Sequence, residues 1–277
     1  MRPVDPATLE LAETLTADAI QLFRAGAVER ALYALRDTER SFPFFTPAIT
    51  WQIPMLDALG EFQEVRKLYD FRNSVLILDA DSGDDEKMTD LAHALSVTIT
   101  RKVTFKSGTT RMPLLKASVS SDLTGLRDPA IARFRTLLMH GFRRYLRQAT
   151  FRNRHVAQVD DCWLSFWSTQ TRRHGSIGPH FHARSWISCV FYPGVRARTG
   201  SRICVGGDLE LGHVPALMGN LRRPCLLRIR PQPGRLVLFP SYIGHAVTPV
   251  RSMQSRISLA GDLGLTPGRA ADRAARQ

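Results

Sequence analysis

Cysteine is scarce. Four stand in 277 residues, Cys162, Cys189, Cys204 and Cys225, far apart and with no Cys-x-x-Cys. That excludes a disulfide framework and a cysteine zinc site. Lysine is thinner still for its class, with five beside 33 arginines. No run approaches the roughly 18 apolar residues of a membrane helix. Met1 to Leu11 has no apolar stretch behind a basic start, so no secretory signal is expected and the cytoplasm is the default location. Acids are thin in one half only. Residues 1–150 hold 20 basic and 19 acidic side chains, whereas 151–277 hold 18 Arg, no Lys and 6 acids. Of the total charge of +13, the second half carries +12. Such an excess fits an anionic partner or ligand, or an arginine-rich composition with no such role. Zinc-finger and helix-turn-helix patterns are missing, and aromatics are not interleaved with the arginines, so nucleic acid is not the expected partner.

Hydrophobic residues make up 44% and charged residues 23%, as in an ordered globular protein. Residues 5–70 read as short helices. Asp5-Pro6 forms a cap, Gly26 stops the first helix and a second covers about 27–40. Thr46-Pro47 starts a third, which ends at Gly60, and Pro54 inside it should kink or break it. Gly26 and Gly60 lie 34 apart, as do Leu22 and Leu56. This resembles the tetratricopeptide repeat, without its first-helix Trp; an ordinary helical hairpin packed on the main domain fits equally. The expected division is a helical segment over 1–75 and a β-rich domain with flanking helices over 85–277. An acidic link, Asp79 to Glu86, separates them. A helix over 85–95 and a strand over 96–105, carrying β-branched Val97, Ile99 and Val103, come next. Ile131, Phe134, Leu138, Phe142 and Tyr145 predict a helix over 129–148. After Ala149 short strands alternate with Gly/Pro turns, near 162–168, 180–192, 207–211, 225–230, 235–239, 245–249 and 255–262. The fold class is α+β, with a sandwich or double-stranded β-helix (jelly roll) and packed helices.

Chemistry concentrates at His180-Phe181-His182. Two residues apart in a strand, both imidazoles leave one face and can share a metal ion. A lone His-x-His is more often structural. In a regular strand, Arg184, Ser188 and Tyr192 share that face, while Ile187, Cys189 and Phe191 form core on the other. A Pro-Gly turn and an apolar strand, Pro233 to Ser241, deliver His245. Eleven residues on, Ser255-Arg256-Ile257-Ser258 places Arg256 and Ser258 on one strand face. A buried Arg needs a partner. No acid lies near it in sequence before Asp262, so a ligand carboxylate suits its forked guanidinium. Trp163, Phe166 and Trp167 read as core, His174 and His213 as surface, and Arg184 as solvated or facing an anionic substrate.

His-x-His, a distal His and Arg-x-Ser together resemble the iron(II)- and 2-oxoglutarate-dependent oxygenases, in the bacterial branch with N-terminal helical repeats. The stretches that carry the likeness are GPHFH (178–182), SWIS with VFY (185–192), GDLELG (207–212), and PGRLVLFPSYIGH with RISLAGD within 229–263. The resemblance implies Fe(II) as metal cofactor and 2-oxoglutarate as cosubstrate, which is decarboxylated with O2 while a C–H bond of a small-molecule or peptidyl substrate is hydroxylated. It implies His180 and His245 as iron ligands. Arg256 would hold the distal carboxylate of 2-oxoglutarate, helped by Ser258 and Tyr192. The superfamily has a carboxylate where this chain has His182. His182 is expected to ligate as well; Asp208 is a substitute carboxylate, in a turn-and-strand position that is not favoured for it. Metal binding would then follow the deprotonation of three imidazoles at about pH 6–7. A degenerate, non-catalytic oxygenase that binds a peptide or partner is the alternative.

Overall fold

The computed structural model describes residues 6–43, 45–79, 85–107, 113–148, 162–193, 206–251 and 255–264. Asp5, the middle of the acidic link and Cys204 lie outside them. Four helices come first: α1 (Pro6–Arg24), α2 (Val28–Ser41), α3 (Thr46–Ala58) and α4 (Phe62–Leu68). Gly26 and Gly60 end α1 and α3 at φ of +83° and +78°, a left-handed backbone that glycine adopts without strain. Pro54 does not break α3, which runs unbroken from Thr46 to Ala58. Eleven of the thirteen α3 residues are buried, so packing on every side outweighs the one missing N–H.

A short helix α5 (Phe71–Ser74) and strand β1 (Leu76–Leu78) lead to α6 (Asp85–Lys102). The strand expected at 96–105 is instead the second half of α6. Leu91, Leu95, Thr98 and Ile99 are buried at spacings of three and four, and that continuous stripe overrides β-branched propensity. Strands β2 (Phe105–Ser107) and β3 (Leu114–Ser120) follow, then α7 (Pro129–Gln148). Ile131, Phe134, Leu138, Phe142 and Tyr145 of α7 are all fully buried, as their spacing predicts.

The remaining strands are β4 (Trp163–His180), β5 (Ile187–Phe191), β6 (Leu209–Leu211), β7 (Leu227–Ile229), β8 (Leu236–Pro240), β9 (His245–Val247) and β10 (Arg256–Gly264). All pair antiparallel, in the order β1-β8-β5-β10-β4-β9-β6-β7, with β3 also against β4. The 18-residue β4 joins the two parts of this curled, jelly-roll-like sheet. Its first half pairs with β10 and its last turn of chain with β9. The sheet has two chemically distinct faces. Ile187, Cys189 and Phe191 of β5, with Leu236 and Leu238 of β8, pack against α6 and α7. Val190, Tyr192, Val237 and Phe239 point the other way, into the cluster shared with α1 to α4. Alternation along each strand produces this split.

Candidate metal centre

His180 is the last residue of β4, and its cross-strand partner is His245, the first residue of β9. Antiparallel partners point the same way, and the two rings stand 4.3 Å apart between centroids. His182 does not continue the strand, which is one departure from a regular 180–192 run. The chain leaves β4 at His180 and turns at Ala183-Arg184 before β5. His182 nevertheless comes back to the pair, with its ring 5.4 Å from that of His180 and 5.0 Å from that of His245. One nitrogen of each ring lies within 4.8 Å of the others.

The Nδ1 atoms are engaged elsewhere. Gly178 O accepts from His180 at 2.9 Å, Ile243 O from His245 at 3.3 Å, and Asp262 Oδ1 from His182 at 2.6 Å. That leaves three Nε2 lone pairs for a shared ion, a donor set that suits a divalent transition metal such as zinc, copper, iron or nickel. Burial, and then the neighbouring His182, push the His180 pKa down to about 4. Burial, with His180 and His182 beside it, holds His245 well below the usual imidazole range. Both are therefore already neutral at pH 6–7, lower than the deprotonation range expected from sequence.

Further along the same face lies Arg256, 3% exposed. Its Nη1 donates to Ser258 Oγ at 3.0 Å and its Nη2 to Tyr192 OH at 3.4 Å. Its guanidinium also lies 5.1 Å from the Tyr192 ring centroid. Burial, opposed by Arg256, leaves the Tyr192 hydroxyl above its ordinary pKa, so it stays a neutral phenol. Among the described residues no acid pairs with Arg256, and its buried Nε has no partner. A buried guanidinium bonded only to neutral hydroxyls fits an anionic ligand. Thr171 stands opposite it on β4, with its buried hydroxyl also unpartnered.

Of the other residues singled out in the sequence, some lie as expected and some do not. Asp208 is not in the histidine cluster. The acid that is there is Asp262, which bonds His182 rather than Arg256. Alternation from Arg256 through Ser258 and Ala260 puts it on the inner face, a signal present in the sequence. Phe166 is core, edge-on to Phe134. Trp167 is not: it is half-buried with its ring 5.6 Å from His182, and its Nε1 has no partner. His213 is held by Glu210 at 3.1 Å. Arg184 is exposed and reaches Glu13 of α1 at 3.3 Å. Cys189 is buried, which pushes its thiol well above the usual range and keeps it inert.

Residues 165–262 match the family described as "Putative 2OG-Fe(II) oxygenase". No curated protein matches the chain. Similar solved structures include a Pseudomonas putida prolyl-4-hydroxylase, at 16% identity and TM-score 0.48, covering 71% of this chain and 96% of that one. A Trichoplax adhaerens prolyl hydroxylase in complex with a hypoxia inducible factor peptide has 13% identity and TM-score 0.48, covering 79% and 96%. HygX from Streptomyces hygroscopicus, with nickel, 2-oxoglutarate and hygromycin B bound, has 12% identity and TM-score 0.45, covering 72% and 86%. The matched stretch holds the three histidines, Arg256 and Asp262, and over it the chain is similar to the iron(II)- and 2-oxoglutarate-dependent oxygenases.

Proposed function

We propose that this protein is an iron(II)- and 2-oxoglutarate-dependent dioxygenase that hydroxylates a small-molecule or peptidyl substrate and releases succinate and CO2. The observation that carries the reading is one inner face with a three-imidazole cluster at one end and, at the other, a buried arginine with no acid partner among the described residues. His180, His182 and His245 would hold the metal through Nε2. Arg256 would take the distal carboxylate of 2-oxoglutarate, with Ser258 and Tyr192 fixing the guanidinium. Bound iron supplies the activation of O2 that drives 2-oxoglutarate decarboxylation and substrate oxidation.

The chain's own residues orient and exclude. Phe239 closes one side of the cluster, its ring 5.0 Å from that of His245. In this reading residues 1–75 are a repeat-like helical cover and 85–277 the catalytic unit. Two hydrogen bonds support that division of labour: Thr46 Oγ1 donates to Ser185 O, and Thr50 Oγ1 donates to Tyr242 O at 3.1 Å. Both acceptors lie in the loops that lead to β5 and to His245.

Succinate release from 2-oxoglutarate by purified protein with Fe(II), ascorbate and air tests the proposal. Turnover above the protein-free rate, lost in His180→Ala, is the expected result. Protein that binds Fe(II) and 2-oxoglutarate yet releases no succinate with any added substrate would instead favour the non-catalytic binding module.

A further inference from the structure

Of the three acceptors behind the histidines, only Asp262 carries a charge. It is 2% exposed. Its Oδ1 accepts from His182 Nδ1 at 2.6 Å and from Ser188 Oγ at 2.9 Å, and Ser188 Oγ in turn lies 2.8 Å from Ser241 Oγ. Among the described residues no Lys or Arg pairs with Asp262. A buried carboxylate without a cation nearby is costly and is kept when something offsets it. Three neutral imidazoles bring no charge of their own to a divalent ion. The two facts answer each other.

We propose that Asp262 is a positioning residue of the metal centre, holding His182 as the Nδ1–H tautomer with Nε2 toward the ion and supplying the site's negative charge from behind that ring. This rests on reading His180, His182 and His245 as the ligands. A carboxylate behind a ligating imidazole fixes the ring's orientation and raises its basicity. Ser188, itself held by Ser241, does the same for the carboxylate. Backbone carbonyls behind His180 and His245 orient those rings without adding charge.

The test is metal binding by the full chain, with Fe(II) alone titrated anaerobically and Co(II) followed by its visible absorption. Asp262→Asn keeps the shape and removes the charge. It should weaken both metals by roughly 10–100-fold, the usual effect of losing such a partner. Ser188→Ala keeps the charge and loosens its support, and should weaken them less. Nitrogen-15 NMR of the metal-free wild type should show His182 protonated at Nδ1. Equal metal affinity in wild type and Asp262→Asn would overturn the role of Asp262 and leave the ligand reading intact. An Nε2–H tautomer at His182 in the wild type would overturn it as well, with no dependence on whether a variant folds. Wild type that binds neither metal would overturn the ligand reading and this inference with it.

Discussion

At the scale of single residues, the site separates two jobs. Histidines gather at one end, and the guanidinium of Arg256 waits at the other. Truncating one partner of a buried charge pair costs on the order of 2–5 kcal/mol. Arg256→Ala should therefore weaken 2-oxoglutarate by about 30-fold or more, while Fe(II) affinity holds, as measured by titration of each ligand. Acid provides a second check. His180 is shifted down to about 4 and His245 well down, both chiefly by burial, against roughly 6.5 in the unfolded chain. Between those values the unfolded chain takes up protons that the folded one refuses. Stability is thus fully present above about pH 6.5 and falls as pH drops toward 4, by about 3 kcal/mol from His180 alone. Urea midpoints of metal-free protein at pH 7, 5.5 and 4.5 should decline in that order, and less steeply in His180→Gln. The His-x-His spacing and the alternation of Arg256 with Ser258 singled these residues out, but His182 lies past the end of β4 and reaches His180 and His245 through a turn, not through strand alternation. The bond from Asp262 to His182 was not legible. It spans 80 residues and depends on the register of β10 with β5, which pairs Asp262 with Ser188.

Among elements, the strongly periodic ones were readable and the weak or edge ones were not. The stripe of α7 named its own core. The three-residue β1, which pairs with β8 at the sheet edge, is too short to show a pattern. Strand β3 has a register shift at Leu115/Ala117 that spoils its alternation. The opposite strand bends at the same place, and Gly175 makes the bend fit. A Cβ there would lie 2.6, 2.8 and 2.9 Å from the carbonyl oxygens of Lys116, Leu115 and Arg172. Backbone atoms cannot swing aside as side-chain tips can. Gly175→Ala should cost about 1–3 kcal/mol by denaturant unfolding, as overpacking does. Gly125→Ala, with nothing within 4 Å of the new methyl, should change the midpoint little. Phe142→Ala, which empties a fully buried site between α7 and the sheet, should cost about 3–5 kcal/mol.

For the whole molecule, the helical segment is not an appendage. One hydrophobic cluster runs from Ala12, Leu35 and Trp51 through to Tyr242 and Ile243 beside His245. Asp57 of α3 accepts the backbone N–H groups of Arg222 and Arg223. The Tyr242 hydroxyl donates to Leu68 O, and that of Tyr145 to Ser74 O. A fragment of residues 80–277 should lose these partners, expose apolar surface and aggregate. A soluble fragment with a cooperative melt and unchanged Fe(II) affinity would show instead that the cover is dispensable. The charge asymmetry of the sequence said nothing of this arrangement, because it is apolar packing and buried polar bonds that join the two parts.

The bent strand β4 also sets an arithmetic of odd and even. Thr171, opposite Arg256, and His180, opposite His245, both face inward, yet they stand nine residues apart. A flat strand would send an odd-numbered neighbour to the outside. The irregular stretch between them, with His174 at a φ of 60° and a shift between Ile177 and His180, restores the parity. Any length change between Thr171 and His180 must therefore be compensated within that stretch, or the first histidine turns its back on the other two. Insertions and deletions should accumulate elsewhere in descendants of this chain and be purged from these nine positions.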